Sequence, residues 1–180
     1  MKKHGYIKLM LARLFNFIWY KTKIRFFRML SNSFSFGLQI KVGKLFYVLT
    51  SITDLSEVTP NYEREIFKRL LQVVKRDSVF IDVGAHIGRF TFPMAKLLSE
   101  GVVVAVEPNP WAFEALLKGI KLNEFRNVIA INVALSDSNG TTILCLKYIT
   151  AASSVLEREN SQTLHKVKVN TKSLDNLIKD

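Results

Sequence analysis

The sequence predicts an α/β fold built as a doubly wound parallel sheet. Two observations predict it. Between residues 79 and 133, short β-branched apolar runs alternate with helical patterns. A glycine-bearing loop follows the first run and an acid ends the second, where open parallel sheets bind ligands. Strand–helix–strand order brings parallel strands and right-handed crossovers. A chain of 180 residues that is 48% hydrophobic and 23% charged holds one domain with a real core.

Taken in order, residues 34–53 alternate loosely and then read LFYVLTSI, one or two strands entering the domain. Thr59-Pro60 marks a helix start, with Pro at the first helical position. That helix runs to Val74, with Tyr62, Ile66, Leu70 and Val73 as its buried face and Phe67, Leu71 and Val74 beside them. Val79–Val83 reads as a fully buried strand, and Gly88–Leu98 as a helix. Val102–Val106 is a second buried strand, Trp111–Leu122 a second helix, and Val128–Val133 a third strand. Asn139-Gly140 marks a turn. Thr141–Tyr148 and Lys166–Thr171 read as strands, and Leu174–Ile178 begins a last helix. Trp111 and Cys145 read as core residues. With Cys145 the lone cysteine, a disulfide framework and a multi-cysteine zinc site are excluded. His4, His165 and Asp175 have no metal-ligand spacing, so no metal is expected.

Charge divides the chain. Residues 1–50 hold ten Lys or Arg and no acid, whereas residues 51–180 hold sixteen basic and fifteen acidic residues. Residues 1–50 are therefore a basic, apolar N-terminal segment with its entering strands, and 51–180 are the enzyme-like domain. The longest charge-free run near the start, Leu14–Tyr20, is too short to span a bilayer. Residues 1–30 carry Phe, Trp and Leu at helical spacing. They read as an interfacial helix on a membrane or as an accessory helix packed on the domain, with nucleic-acid binding through Trp19, Tyr20, Phe26 and Phe27 as a third reading behind these two. Charge confined to one segment is unlike a protein that wraps nucleic acid, so nucleic acid is not expected as a partner. The expected location is the cytoplasm, with a membrane contact through residues 1–30.

The site-forming stretch is Asp82-Val-Gly84-Ala85-His86-Ile-Gly88, at the carboxyl end of the first buried strand. Gly84 permits a sharp turn with its backbone open to a ligand, and Gly88 lets the next helix start close to the sheet. His86 stands where a dinucleotide fingerprint needs glycine, and the Gly-Lys-Ser/Thr of a phosphate loop is absent. The second strand ends in Glu107-Pro108-Asn109-Pro110. A carboxylate there accepts both hydroxyls of a ribose, and Pro108 stiffens the turn behind it. Together these residues describe a nucleoside held by its ribose without a pyrophosphate grip, as S-adenosylmethionine would be. Asp82 is either linked to the ligand or caps the glycine turn. Asn109 is a helix cap or a ligand contact, and His86 is a base or packs on the ligand. Glu63 is a first-turn helix acid or a site acid.

VFIDVGAHIGRFTF, VVAVEPNPWAFEALLKGIKLN, NVIAINVALSDSNGTTIL and VKVNTKSLDNLI together resemble the FkbM-type methyltransferases of the class I S-adenosylmethionine-dependent enzymes. The resemblance runs from about Glu63 onward. It implies a Rossmann-like sheet, S-adenosylmethionine as cofactor, and O-methyl transfer to a sugar, lipid or small-metabolite hydroxyl. It places Asp82, Gly84, Ala85, His86, Gly88, Glu107, Pro108 and Asn109 at the cofactor, with Ala134 against adenine. No catalytic base is named. That family commonly has Asn at position 86, and continues past SLDNLI into another strand. The domain is thus expected to be its front part, incomplete at the C-terminus, with Val79–Val83 as an exposed edge. Two rivals are a nicotinamide-dependent oxidoreductase, disfavoured by His86, and a non-catalytic chain that binds cofactor or membrane.

Overall fold

The computed structural model describes residues 37–51, 54–59, 63–147 and 163–179. The segment 1–30, Pro60, Tyr62 and Tyr148 lie outside them, and so do the readings placed on those residues.

Strands β1 (Leu38–Val42) and β2 (Leu45–Leu49) form an antiparallel hairpin, as the alternation predicts. Its turn holds Gly43 in the left-handed region, at φ +60°. β2 sends Tyr47, Val48 and Leu49 into the core. A one-turn helix, α1 (Asp54–Glu57), follows, which the sequence pattern does not announce.

Helix α2 (Arg64–Val73) starts after Glu63, an exposed residue at φ +50° whose side chain caps nothing. The predicted face is corrected. Phe67, Leu70 and the following Val74 pack against Met94, Ala95, Leu98 and Val103, while Ile66, Leu71 and Val73 are exposed. No residue of α2 is fully buried. Among the described residues the helix touches the body along one narrow stripe, and its remaining apolar side chains are exposed.

β3 (Val79–Val83), β4 (Val102–Val106) and β5 (Val128–Ile131) make a parallel sheet in the order β3-β4-β5. Only the central β4 is well covered. The prediction that β3 is fully buried fails: Val79 is 69% and Val83 58% exposed. Among the described residues β3 pairs with β4 alone, so it is the edge that the family resemblance implied. Between them run α3 (Thr91–Leu97) and α4 (Pro110–Leu122). α3 is shorter than predicted because residues 88–90 turn before the helix begins. In α4 the buried stripe is Ala112, Ala115, Leu116 and Gly119. Trp111 sits about 100° off that stripe. It is half exposed rather than core, meeting His165 edge-on at 5.9 Å.

The third strand ends at Ile131, two residues before the predicted Val133, and the chain leaves for another sheet. There β6 (Ala134–Leu135) lies parallel to β8 (Thr163–Lys172), which pairs antiparallel with β7 (Gly140–Lys147). Cys145 is buried there as expected. The final helix is α5 (Leu174–Lys179).

Phe92 organises the core. It is wholly buried, with Tyr47 and Phe125 ring centroids 5.2 and 5.8 Å away. A Cβ on Gly88 or on Gly119 would come within 2.4 Å of its ring. Glycine at both positions lets the ring wedge between the backbone of the loop after β3 and α4. The hairpin is held to α4 by Asn123, whose side chain accepts the Phe46 N–H at 2.8 Å and donates to the Phe46 carbonyl at 2.7 Å.

Candidate functional site

The loop after β3 folds back over the end of β4. The N–H groups of Gly84 and Ala85 both donate to the Val106 carbonyl, at 2.8 and 3.0 Å. Gly84 at φ +78° and Gly88 at φ +94° occupy backbone conformations that favour glycine. A Cβ at Gly84 would meet nothing within 4 Å, so this stretch of backbone faces open space at the carboxyl end of the sheet. Ala85 points inward and is buried.

Glu107 joins two loops. One carboxylate oxygen accepts the His86 N–H at 2.7 Å, and the other accepts the Asn109 N–H at 2.8 Å. Each oxygen of an ionised carboxylate has about two acceptor sites, so each keeps one for a further donor. Burial raises the Glu107 carboxyl above its ordinary value, opposed by the two N–H groups and by the charge of His86. Asn132 Nδ2 donates to the Glu107 carbonyl at 2.7 Å and to that of the half-buried Pro108 at 3.3 Å, fixing the turn from the end of β5. Asn109 caps α4 as read, its Oδ1 accepting the Trp111 N–H at 3.1 Å. Its buried Nδ2 has no hydrogen-bond partner among the described residues.

Asp82 is buried and accepts the Thr91 hydroxyl at 2.5 Å. Burial raises its carboxyl too, opposed by its hydrogen bonds from Thr91. Of the two readings open for Asp82, the observed contact is a tie to the first residue of α3. The imidazole of His86 is directed at a residue the sequence reading missed: its Nε2 lies 3.9 Å from Oδ1 of Asp54. It is the peptide N–H of His86 that reaches Glu107. Ala134 is buried at the start of β6, beyond Asn132. Glu63 is remote in role, closing the turn before α2. Thr91 and Asn132 were also missed. Thr91 carries a local signal, a hydroxyl at the start of the helix after the glycine loop. Asn132 acts over long range and carries none; Asp54 is bonded locally to Thr50 and Ser51, but nothing in the sequence announces its approach to His86.

These residues fit S-adenosylmethionine. Glu107 has acceptor capacity left for ribose hydroxyls, Gly84 leaves space against the backbone, and Asn109 Nδ2 is a buried donor lacking an acceptor. Such a donor costs about 1–3 kcal/mol while unsatisfied, so a bound acceptor stabilises the site.

A family model described as the TRM5/TYW2 methyltransferase domain matches residues 53–168. A tRNA(Phe) (4-demethylwyosine(37)-C(7)) aminocarboxypropyltransferase of Methanocaldococcus jannaschii is 42% identical over 64 residues, 36% of this chain and 26% of that protein. Among solved structures, M. jannaschii TYW2 in complex with AdoMet is 30% identical over 53% of this chain and 42% of that one, with a TM-score of 0.42. P. horikoshii TYW2 in complex with MeSAdo is 22% identical over 56% of this chain and 37% of that one, with the same TM-score of 0.42. The chain thus spans 26% to 42% of the length of these relatives. The fold is the Rossmann-like class I methyltransferase fold, read from the parallel β3-β4-β5 order and the family match. The cofactor is S-adenosylmethionine, which leaves no place for the nicotinamide rival. Two expectations are overturned. The family that matches is TRM5/TYW2 and not the FkbM type. The expectation against nucleic acid, and with it a sugar, lipid or small-metabolite acceptor, conflicts with a relative whose name specifies tRNA(Phe). The glycine loop and Glu107 answer to the cofactor, which different acceptors share, and so they did not separate the two families.

Proposed function

Because the chain belongs to the TRM5/TYW2 methyltransferase-domain family, we propose that it transfers a methyl group from S-adenosylmethionine to a nucleoside of tRNA. The observation that carries this reading is Glu107, a buried carboxylate fixed by two amides beside the open backbone of Gly84. The tRNA acceptor is supported by the name of the M. jannaschii relative. It is also supported by ten basic residues against no acid in residues 1–50, a charge suited to phosphates.

In this reading Glu107 takes the ribose hydroxyls on its two remaining acceptor sites. Asn109 Nδ2 donates to the nucleoside, and Pro108 and Ala134 flank the adenine. The Gly84–Ala85 backbone lies along the amino-acid tail. Asp82 holds Thr91 and so keeps α3 where the loop needs it. When bound, S-adenosylmethionine supplies an electrophilic sulfonium carbon: the methyl carbon, leaving S-adenosylhomocysteine, or the aminocarboxypropyl carbon, leaving methylthioadenosine. The protein's part is to hold that carbon in line with the acceptor atom, which accounts for much of the rate in a displacement.

The family description favours methyl transfer, and the relative's name favours the second outcome. Incubation with S-adenosylmethionine and tRNA, followed by mass spectrometry of digested nucleosides and of the thioether product, separates them. tRNA-dependent S-adenosylhomocysteine and a nucleoside heavier by one methylene are expected. Methylthioadenosine instead would move the reading to aminocarboxypropyl transfer. Cofactor bound with neither product formed on tRNA would overturn the acceptor.

A further inference from the structure

Asp54 is the one wholly buried acid among the described residues, and the proposed reaction gives it no role. It lies at the start of α1. Its carboxylate accepts the N–H and hydroxyl of Thr50 at 2.6 and 2.8 Å, and the N–H and hydroxyl of Ser51 at 2.9 Å each. Those four bonds fix both oxygens. Oδ1 then faces Nε2 of His86 at 3.9 Å, across from the chain that enters after β2. His86 itself is unusual. It is a buried non-glycine residue at φ +50°, in the left-handed region that few non-glycine residues enter and that His, with Asn and Asp, enters most readily. That conformation is where its peptide N–H meets Glu107 at 2.7 Å. The imidazole contact thus lies between a rigid buried acid and the amide that orients the ribose carboxylate.

We propose that Asp54 and His86 form a positioning pair for the cofactor site: Asp54 holds the imidazole, the imidazole holds the left-handed turn at residue 86, and the turn aims its N–H at Glu107. The pair grips hardest when His86 is protonated, because the contact is then an ion pair in a dry environment. Among the described residues, the acids beside His86 are Asp54 at the start of α1 and Glu107 at the end of β4. Asp82 at the end of β3 acts on Glu107, and Arg89 on the loop of His86 acts on Tyr47 of β2. Both acids attract a cation at His86, against the cost of burying that charge. This inference rests on Glu107 being the ribose site.

The two titrations give a signature. Cofactor affinity falls on the acid side as Glu107 is protonated, and falls on the alkaline side as His86 loses its proton. The alkaline loss should be about three- to tenfold, because one pK unit of coupling is a factor of ten. The test is S-adenosylmethionine affinity by calorimetry from pH 5 to 9 on the full chain, its H86N and D54N variants, and E107Q. Asn tolerates the left-handed region well, so H86N keeps the turn available. Its melting temperature separates folding from binding. The expected result is a bell for the wild type and loss of the alkaline limb in H86N. D54N loses it too wherever it folds, and if it does not fold, H86N decides alone. An alkaline limb that persists in H86N, or a wild type with none, overturns the pair. Wild-type binding that E107Q leaves unchanged overturns the ribose reading instead.

Discussion

Replacing Glu107 by Gln removes a charge while keeping the shape. The carboxylate accepts N–H groups at both oxygens, 2.7 Å from His86 and 2.8 Å from Asn109. A glutamine side chain has one oxygen and one NH2. One of the two peptide N–H groups must therefore face a donor and lose its partner. A buried donor left unsatisfied costs about 1–3 kcal/mol. Against this, the substitution removes a buried charge whose desolvation already raises the carboxyl's proton affinity, so the net loss of fold stability should be about 1–2 kcal/mol. The cofactor loses more. A ribose hydroxyl bonded to a charged acceptor contributes about 1.5–3 kcal/mol, which is roughly tenfold to 150-fold in affinity. Urea unfolding gives the first quantity and calorimetric titration with S-adenosylmethionine the second. A folded E107Q protein that binds within twofold of wild type would refute the reasoning, because both the fixed carboxylate and its ribose contact would then be idle.

Three further outcomes are expected. Asp82 and Glu107 both have raised proton affinity in the fold. Their neutral forms therefore favour folding below the ordinary carboxylate range, and that contribution is lost as pH rises through their raised values. Acidification just above that range should weaken cofactor binding without these two groups lowering the melting temperature, and calorimetry beside thermal unfolding checks the opposite signs. Gly119→Ala gains about 1 kcal/mol of helix propensity but drives a methyl to within 2.4 Å of the buried Phe92 ring. Overpacking of about 1–3 kcal/mol should outweigh the gain, and urea midpoints showing a more stable variant would contradict it. Val83→Lys puts a charge on the exposed edge strand, where Val83 is 58% exposed. It should reduce concentration-dependent association by light scattering and leave the melting temperature nearly unchanged.

The sheet was legible because its strands are short β-branched runs bounded by turn residues, and Val102–Val106 and Trp111–Leu122 fall almost where the pattern put them. The loops of the site were legible because Gly84, Gly88, Glu107 and Asn109 each answer a local demand: a left-handed turn, a close approach, a strand-end acid, a helix cap. Burial was less legible. Ile66 and Val73 share a helical pattern with Leu70, yet α2 touches the body on the Phe67–Leu70–Val74 side, and periodicity alone does not say which flank has a neighbour. Trp111 misled in the same way, since a large aromatic at a helix start is not thereby inside. Asp54 and Asn132 could not be found at all. The site residues they reach, His86 and Glu107, stand 32 and 25 residues away in sequence, and short polar side chains at such positions look like any loop.

The Asn123 side chain occupies both backbone groups of Phe46, as a neighbouring strand would, across 77 residues of chain. Closing so long a loop costs entropy before any contact repays it. The hairpin should therefore dock late, after α4 and the parallel strands have formed. Interactions absent from the folding transition state act on the unfolding rate. Stopped-flow traces of Asn123→Ala should then show faster unfolding with an unchanged refolding limb, and the lifetime of the native chain should be set by how long one asparagine keeps hold of one peptide.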